Sequence, residues 1–184
     1  MELRNPKTVQ FLGKGLTIGW VPSEVLTPGV ERWGLNSLIY SRFSGHFDDW
    51  TRWFDLHTNE HVLAVRPETY TWYTTQTKPI YRLTIDPIIP SSIAYPLELI
   101  QDTFHTNRFL DSLDYMFALA LLKDFKRIEL CWFTMEDRPE HRRGATSANY
   151  WIGRAEERGV EVIIHGKSAL EPPEKLYGFE TVYK

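Results

Sequence analysis

Two histidines in this 184-residue sequence stand in settings that suit proton transfer. His57 closes the stretch "RWFDLH", and His141 lies in "EDRPEHRRG" beside Arg138, Arg142 and Arg143. Imidazole is the side chain whose unperturbed titration falls nearest neutrality, so either residue can serve as a general base. The neighbouring arginines can neutralise a phosphate or a carboxylate. A structural hydrogen-bonding role also accounts for His57, and a solvated mixed-charge loop for the stretch around His141. Asn36, in "WGLNS", carries a donor and an acceptor on one amide and can read the edge of a base or a sugar hydroxyl, or form a turn. Ser23, in "GWVPSEVL", can donate to a phosphate oxygen beside the free N–H groups that open a helix, or cap that helix. Ser112 and Asp111 stand in the same two ways at the head of a later helix.

Other chemistries are excluded by spacing. There is no HExxH, CxxC or DxD pattern for a metal, and the adjacent carboxylates of Asp48 and Asp49 point apart in an extended segment. A GxxxxGK[ST] phosphate loop and a GxSxG nucleophile elbow are both missing, which removes P-loop ATP hydrolysis and α/β-hydrolase chemistry. No cofactor is expected.

The elements that must position these groups read as an α/β alternation. The short apolar run "GLTIGWV" (15–21) predicts a strand buried on both faces. Pro22, Ser23 and Glu24 then suit the first turn of a short helix. Further strands are expected over 32–40, 51–57 and 78–84, where aromatic and branched residues concentrate. The run "TYTWYTTQT" (69–77) fits either a strand or a packed loop. A short helix is expected over 95–104 with Pro96 in its first turn, and a longer one over 109–124, whose second half "MFALALL" is apolar nearly all round. A central strand over 127–134, a polar loop, a helix over 145–158 stopped by Gly159 and a strand over 160–166 follow. Helix, strand, helix and strand in this succession demand a parallel sheet covered on both faces. The expected architecture is therefore a single Rossmann-like α/β domain spanning residues 1–184, with "SALEPPEKLYGFE" folding back over the sheet. In such sheets ligands gather at the carboxyl ends of the strands, which is where Ser23, Asn36, His57 and the 134–143 stretch fall.

Composition bounds the rest. Apolar residues make up 42% of the chain and aromatic residues 14%, enough for one core of this size. A net charge of -3 gives no general attraction to polyanions, so nucleic acid is an unlikely partner. The single cysteine, Cys131, has no second thiol, and no segment approaches the roughly 18 apolar residues that a membrane span needs. A cytoplasmic protein without membrane association is expected, and the 7 Trp and 9 Tyr leave a homo-oligomeric interface possible.

Taken together, "LTIGWVPS", "WGLN" and "SLDYMFALALLKDFKRIELCWFTM" resemble the layout of bacterial sialyltransferases of the Rossmann-like type, and of small phage-encoded proteins of similar plan. The resemblance implies that Gly19, Pro22 and Ser23 face a nucleotide phosphate or ribose, that Asn36 lies near the nucleotide and that Ser112 heads the helix beside it. Trp20 and Val21 stand where that family has a small polar residue and a glycine, so Trp20 either stacks a base or closes the site. The implied function is a nucleotide- or sugar-nucleotide-binding protein of glycosyltransferase-like type, in the host cytoplasm if phage-encoded. Residue type and position, not the resemblance, offer His141 or His57 as its base and Arg142 and Arg143 as anion contacts. A non-catalytic binder of a nucleotide-derived ligand and a structural, partner-binding protein are the alternatives.

Overall fold

Strands buried on both faces lose the clean period of two and appear in sequence as short apolar runs. The computed structural model, which describes residues 7–13, 28–40, 49–136 and 139–173, contains seven strands. They are β1 (Thr8–Leu12), β2 (Glu31–Leu35), β3 (Arg52–Phe54), β4 (Ile80–Arg82), β5 (Ser92–Ala94), β6 (Arg127–Cys131) and β7 (Glu161–His165). Of these, β1, β2, β4 and β6 are the most buried. All neighbours pair in parallel, in the order β5-β4-β3-β2-β1-β6-β7. The chain steps outward from β1 to β5 and then returns to lay β6 against the other side of β1. This is a Rossmann-like α/β fold, with its switch in strand order between β1 and β6.

Helices cover both faces. Val9, Phe11, Trp33, Leu35, Phe54, Ile128 and Leu130 pack one face against α3 (Leu97–Phe104), α4 (Ser112–Leu122) and α5 (Pro139–Glu157). A row of rings crosses the strands there: Phe11 stacks on Trp33 at 5.3 Å, Trp33 meets Phe54 at 5.2 Å and Phe54 stacks on Tyr81 at 5.0 Å. Leu12, Trp53, Ile80 and Cys131 point to the opposite face, where α1 (Asn59–Val65), α2 (Pro67–Thr74) and the 3-10 turn Asn36–Tyr40 supply Val62, Tyr73 and Leu38. That second face also carries a polar row, buried at Gln10, Arg32 and Glu129. Gln10 donates to Glu129 at 2.8 Å, Arg32 donates to Gln10 at 3.3 Å and to Asp49 at 3.1 Å, and His165 lies 3.3 Å from Glu129.

Several expectations change. The strand and turn over 15–23 lie outside the described residues, and β1 lies upstream of them, in a stretch whose pattern does not announce a strand. β2 ends at Leu35 and gives way to the 3-10 turn. The 69–77 run is helical over 69–74, as all but the first two residues of α2: Pro67 and Glu68 start the helix, and Trp72 and Tyr73 pack with Trp53 of β3. α5 begins at Pro139 rather than 145, so His141, Arg142 and Arg143 stand on its first turns and not on a loop. Among the described residues no helix is long and apolar enough to cross a membrane.

Candidate functional site

At the switch point the backbone leaves little room. A Cβ on Gly13, which follows β1, would lie 2.5 Å from the carbonyl oxygen of Trp132, which follows β6. Space opens instead over the ends of β2 and β3. A cavity of about 620 Å³ is lined there by Asn36 and Ser37 after β2, Asp55, Leu56 and His57 after β3, and His61, Val62 and Val65 of α1. Arg66, Thr69, the 109–111 turn, Ser112 and Tyr115 of α4, and His141 of α5 complete it. Four residues singled out by type and position, Asn36, His57, Ser112 and His141, thus meet at one cavity from four separate elements.

Asn36 is held in the left-handed region, with φ 47°. Its carbonyl accepts from the Trp53 indole at 2.9 Å and the Tyr73 hydroxyl at 3.2 Å, and these bonds fix a backbone conformation that Asn tolerates better than most residues. The side-chain amide donates to Ser112 Oγ at 3.5 Å, while its Oδ1 is buried with no partner among the described residues. A buried acceptor without a donor is costly, and a ligand hydroxyl or amino group would satisfy it.

The head of α4 is organised by a reciprocal cap. Asp111 accepts from the Leu113 N–H at 3.0 Å, and Asp114 Oδ2 accepts from the Asp111 N–H at 3.0 Å, the Leu110 N–H at 2.7 Å and the Ser147 hydroxyl at 2.6 Å. Burial pushes the Asp114 carboxyl up to about 6, against the pull of the Ser147 and backbone hydrogen bonds. Ser112 is the first residue of the helix, so its hydroxyl and the helix's positive end face the cavity together. Gly144 brings α5 close: a Cβ there would lie 3.0 Å from both Asp111 Cβ and Met135 Cε. That approach places His141 on the cavity wall.

Across the cavity, Asp55 is 2% exposed. Its Oδ1 lies 2.7 Å from His57 Nδ1, and its Oδ2 accepts from Tyr73 at 2.6 Å with the Arg82 guanidinium at 3.5 Å. Burial raises the carboxyl's affinity for a proton, yet the His57 and Tyr73 hydrogen bonds and the Arg82 charge outweigh it and hold Asp55 below the ordinary carboxylate range. Burial and the Asp55 charge push the Tyr73 hydroxyl well above its usual value, so it remains a donor. The His57 ring stacks on His61 with centroids 4.7 Å apart.

The other anticipated residues lie elsewhere. Gly19, Trp20, Pro22 and Ser23 fall outside the described residues. Arg142 donates to the Glu136 carbonyl at 3.3 Å and lines a separate cavity of about 530 Å³ with Met135, Glu136, Ala145 and Ala169. Arg143 is exposed and lines neither cavity. Among the described residues no group of three or more His, Cys, Asp or Glu side chains could hold a metal. Sequence reasoning missed Asp55, His61, Arg66, Tyr73 and Arg82. Of these only Asp55 carried a local signal, an Asp two positions before a His at a strand end.

The fold and the cavity at the carboxyl edge define a Rossmann-like α/β protein with a ligand-sized site beside its switch point. No family model and no curated protein sequence matches the chain. Among solved structures the fold is similar to the sialyltransferase CstII from Campylobacter jejuni in complex with a substrate analogue, cytidine-5'-monophosphate. The TM-score is 0.58 at 12% identity, over 86% of this chain and 79% of that one. It is likewise similar to CstII with a trisaccharide acceptor and CMP, with TM-score 0.54 and 12% identity over 86% and 80% of the two chains. For CstII with CMP-3FNeuAc the TM-score is 0.56 at 10% identity, over 85% and 79%. This likeness establishes a sialyltransferase-like fold.

Proposed function

We propose that this protein binds a nucleotide or sugar nucleotide in the cavity over β2 and β3 and is of glycosyltransferase-like type. The observation that carries the reading is the convergence of Asn36, Ser112, His57 and His141 on one cavity of about 620 Å³. A volume of that order suits a ligand the size of a nucleotide sugar. In this reading Asn36 and Ser112, with the positive end of α4, hold the nucleotide, and Arg66 offers a cation to its phosphate. His57 and His141 are the candidate bases. Gly19, Trp20, Pro22 and Ser23 are assigned as nucleotide contacts in the segment after β1. The solved CstII structures, which hold CMP or a CMP-linked analogue on a similar fold, support the choice of ligand class.

The test is thermal denaturation with a panel of CMP-, UDP- and GDP-linked ligands and the free nucleotides. A ligand at one hundred times its Kd stabilises by about 2.7 kcal/mol. For a chain of this size that raises Tm by roughly 5–10 °C. Ser112→Ala is expected to reduce the shift. No shift with any member of the panel refutes the proposal.

A further inference from the structure

The C-terminal half of α5 gathers positive charge in a chain whose net charge is -3. Arg154 stands on the last turn of α5 and Arg158 follows its end, while the loop between α3 and α4 brings Arg108 to the same surface. That loop is clamped to the helix: the Trp151 indole N–H donates to the Arg108 carbonyl at 2.7 Å, and Phe104 meets the Trp151 ring edge-on at 5.5 Å. Two rings then link the three guanidiniums. Arg108 and Arg154 lie over Tyr150 at 5.1 and 5.5 Å, and Arg154 and Arg158 lie over Phe104 at 5.7 and 5.2 Å, so neighbouring charges are at most about 11 Å apart. At that separation exposed charges are only partly screened and repel.

Elsewhere the chain answers such charges with carboxylates: Arg32 has Asp49, Arg52 has Glu31, Arg82 has Asp55 and Arg127 has Glu161. Here, among the described residues, neither Arg108 nor Arg154 has a carboxylate at ion-pair distance, and Arg158 has only the exposed Glu157 at 3.9 Å. The negative end of α5 accounts for part of the cluster, since Arg158 donates to the Arg154 carbonyl at 3.3 Å. It does not account for Arg108, which belongs to another element. Donors are also left over. Each guanidinium carries five N–H groups, yet Arg154 spends one on the Tyr150 hydroxyl at 2.8 Å and leaves its buried Nε without a partner among the described residues. A guanidinium that rests on a ring by its face keeps its planar edge free, and that edge matches two oxygens of a phosphate.

We infer that Arg108, Arg154 and Arg158 form a binding site for an oligophosphate, separate from the cavity over β2 and β3. None of the three lines that cavity, and Arg154 lies about 20 Å from His141 along α5. Three charges strung along two rings match two or more linked phosphates better than a single one, which one pair of forks suffices to hold. Such phosphates occur free in solution or crowded on the surface of an anionic lipid, and the site recognises the chemistry that the two share.

Titration calorimetry of the wild-type chain with tripolyphosphate tests this. Binding is expected, and it should weaken as salt is raised. Arg108→Gln and Arg154→Gln are each expected to weaken it roughly tenfold, and Arg154→Lys less, because the charge survives the loss of the fork. Arg108→Gln removes no hydrogen bond among the described residues, so its Tm is expected to stay within about 4 °C of wild type, and a weaker affinity in that folded variant is not a packing effect. Ser112→Ala should leave tripolyphosphate binding unchanged, which separates this site from nucleotide binding in the cavity. Co-sedimentation with phosphatidic acid vesicles distinguishes the sources. Retention that the three Arg→Gln substitutions together abolish assigns the site to a lipid surface, and tripolyphosphate binding without retention assigns it to a soluble ligand. Failure of the wild-type chain to bind either probe overturns the inference, as does an affinity that Arg108→Gln and Arg154→Gln leave intact or that Ser112→Ala removes.

Discussion

Gly34→Ala tests how the sheet holds the site. Gly34 sits in β2 between Trp33 and Leu35, and a Cβ built on it would lie 2.3 Å from Trp53 Cζ3 and 2.5 Å from Cε3. Carbon atoms rest about 3.5–4.0 Å apart, so the ring would have to retreat by about 1 Å or more. It has nowhere to go: Trp53 is fully buried, with Trp72 at 4.8 Å and Trp50 at 5.5 Å between ring centroids. Its indole N–H also donates to the Asn36 carbonyl at 2.9 Å, so displacement loosens the cavity wall as well as the core. Overpacking costs about 1–3 kcal/mol. A buried N–H left without its acceptor costs about 1–3 kcal/mol more. The expected destabilisation is therefore about 2–6 kcal/mol, a fall in Tm of roughly 4–24 °C. Thermal and guanidinium unfolding of the two proteins measure it, with a lower midpoint at unchanged slope as the expected form. In a Trp53→Leu background the same change should cost much less. A Tm within 2 °C of wild type in the single variant would refute the argument.

Two further predictions concern the ends of β2 and α4. Asp114 is pushed up to about 6 from the ordinary 3.8, so the folded state binds the proton more tightly than the unfolded chain. Its contribution to stability is fully present below about pH 4 and is lost as pH rises through about 6, amounting to about 3 kcal/mol; denaturant unfolding from pH 4 to 7 should show this slope, and Asp114→Asn should flatten it. Asn36→Gly should be tolerated because φ is 47° there, whereas Asn36→Ala should cost about 1–2 kcal/mol more, and both should abolish the nucleotide-induced rise in Tm.

What the sequence made legible follows the range of the forces involved. α4, β6 and β7 are read from local pattern because each carries a run of apolar residues: α4 packs against the sheet, β6 lies inside it, and Val162 and Ile164 of β7 pack half-buried against the core. β1 hides behind Gln10, a polar residue in mid-strand whose bond to Glu129 spans 119 positions. α2 is written in Thr, Tyr and Trp, residues that favour strands, and becomes helical because Trp72 and Tyr73 pack against Trp53 and Asn36. At the site, Asn36, His57, Ser112 and His141 are found because ligands collect at strand ends and helix heads, a rule of topology that needs no contacts. Asp55 was passed over because its burial and its second partner, Tyr73, come from α2, which the pattern did not disclose.

The polar row through Gln10, Arg32 and Glu129 bears on how the protein is made. β1 is hydrogen-bonded on one side to β2 and on the other to β6, so the middle of the sheet stays open until the sixth strand has left the ribosome. Until then Gln10 waits on an unpaired edge strand for a carboxylate that has not been synthesised. Long-range parallel pairing of this kind is slow, and an open edge strand invites pairing with another chain. A fragment ending before β6 is thus a poor unit for expression, and the carboxylate of Glu129 acts as a late proof that the strands on either side of β1 have met in the correct register.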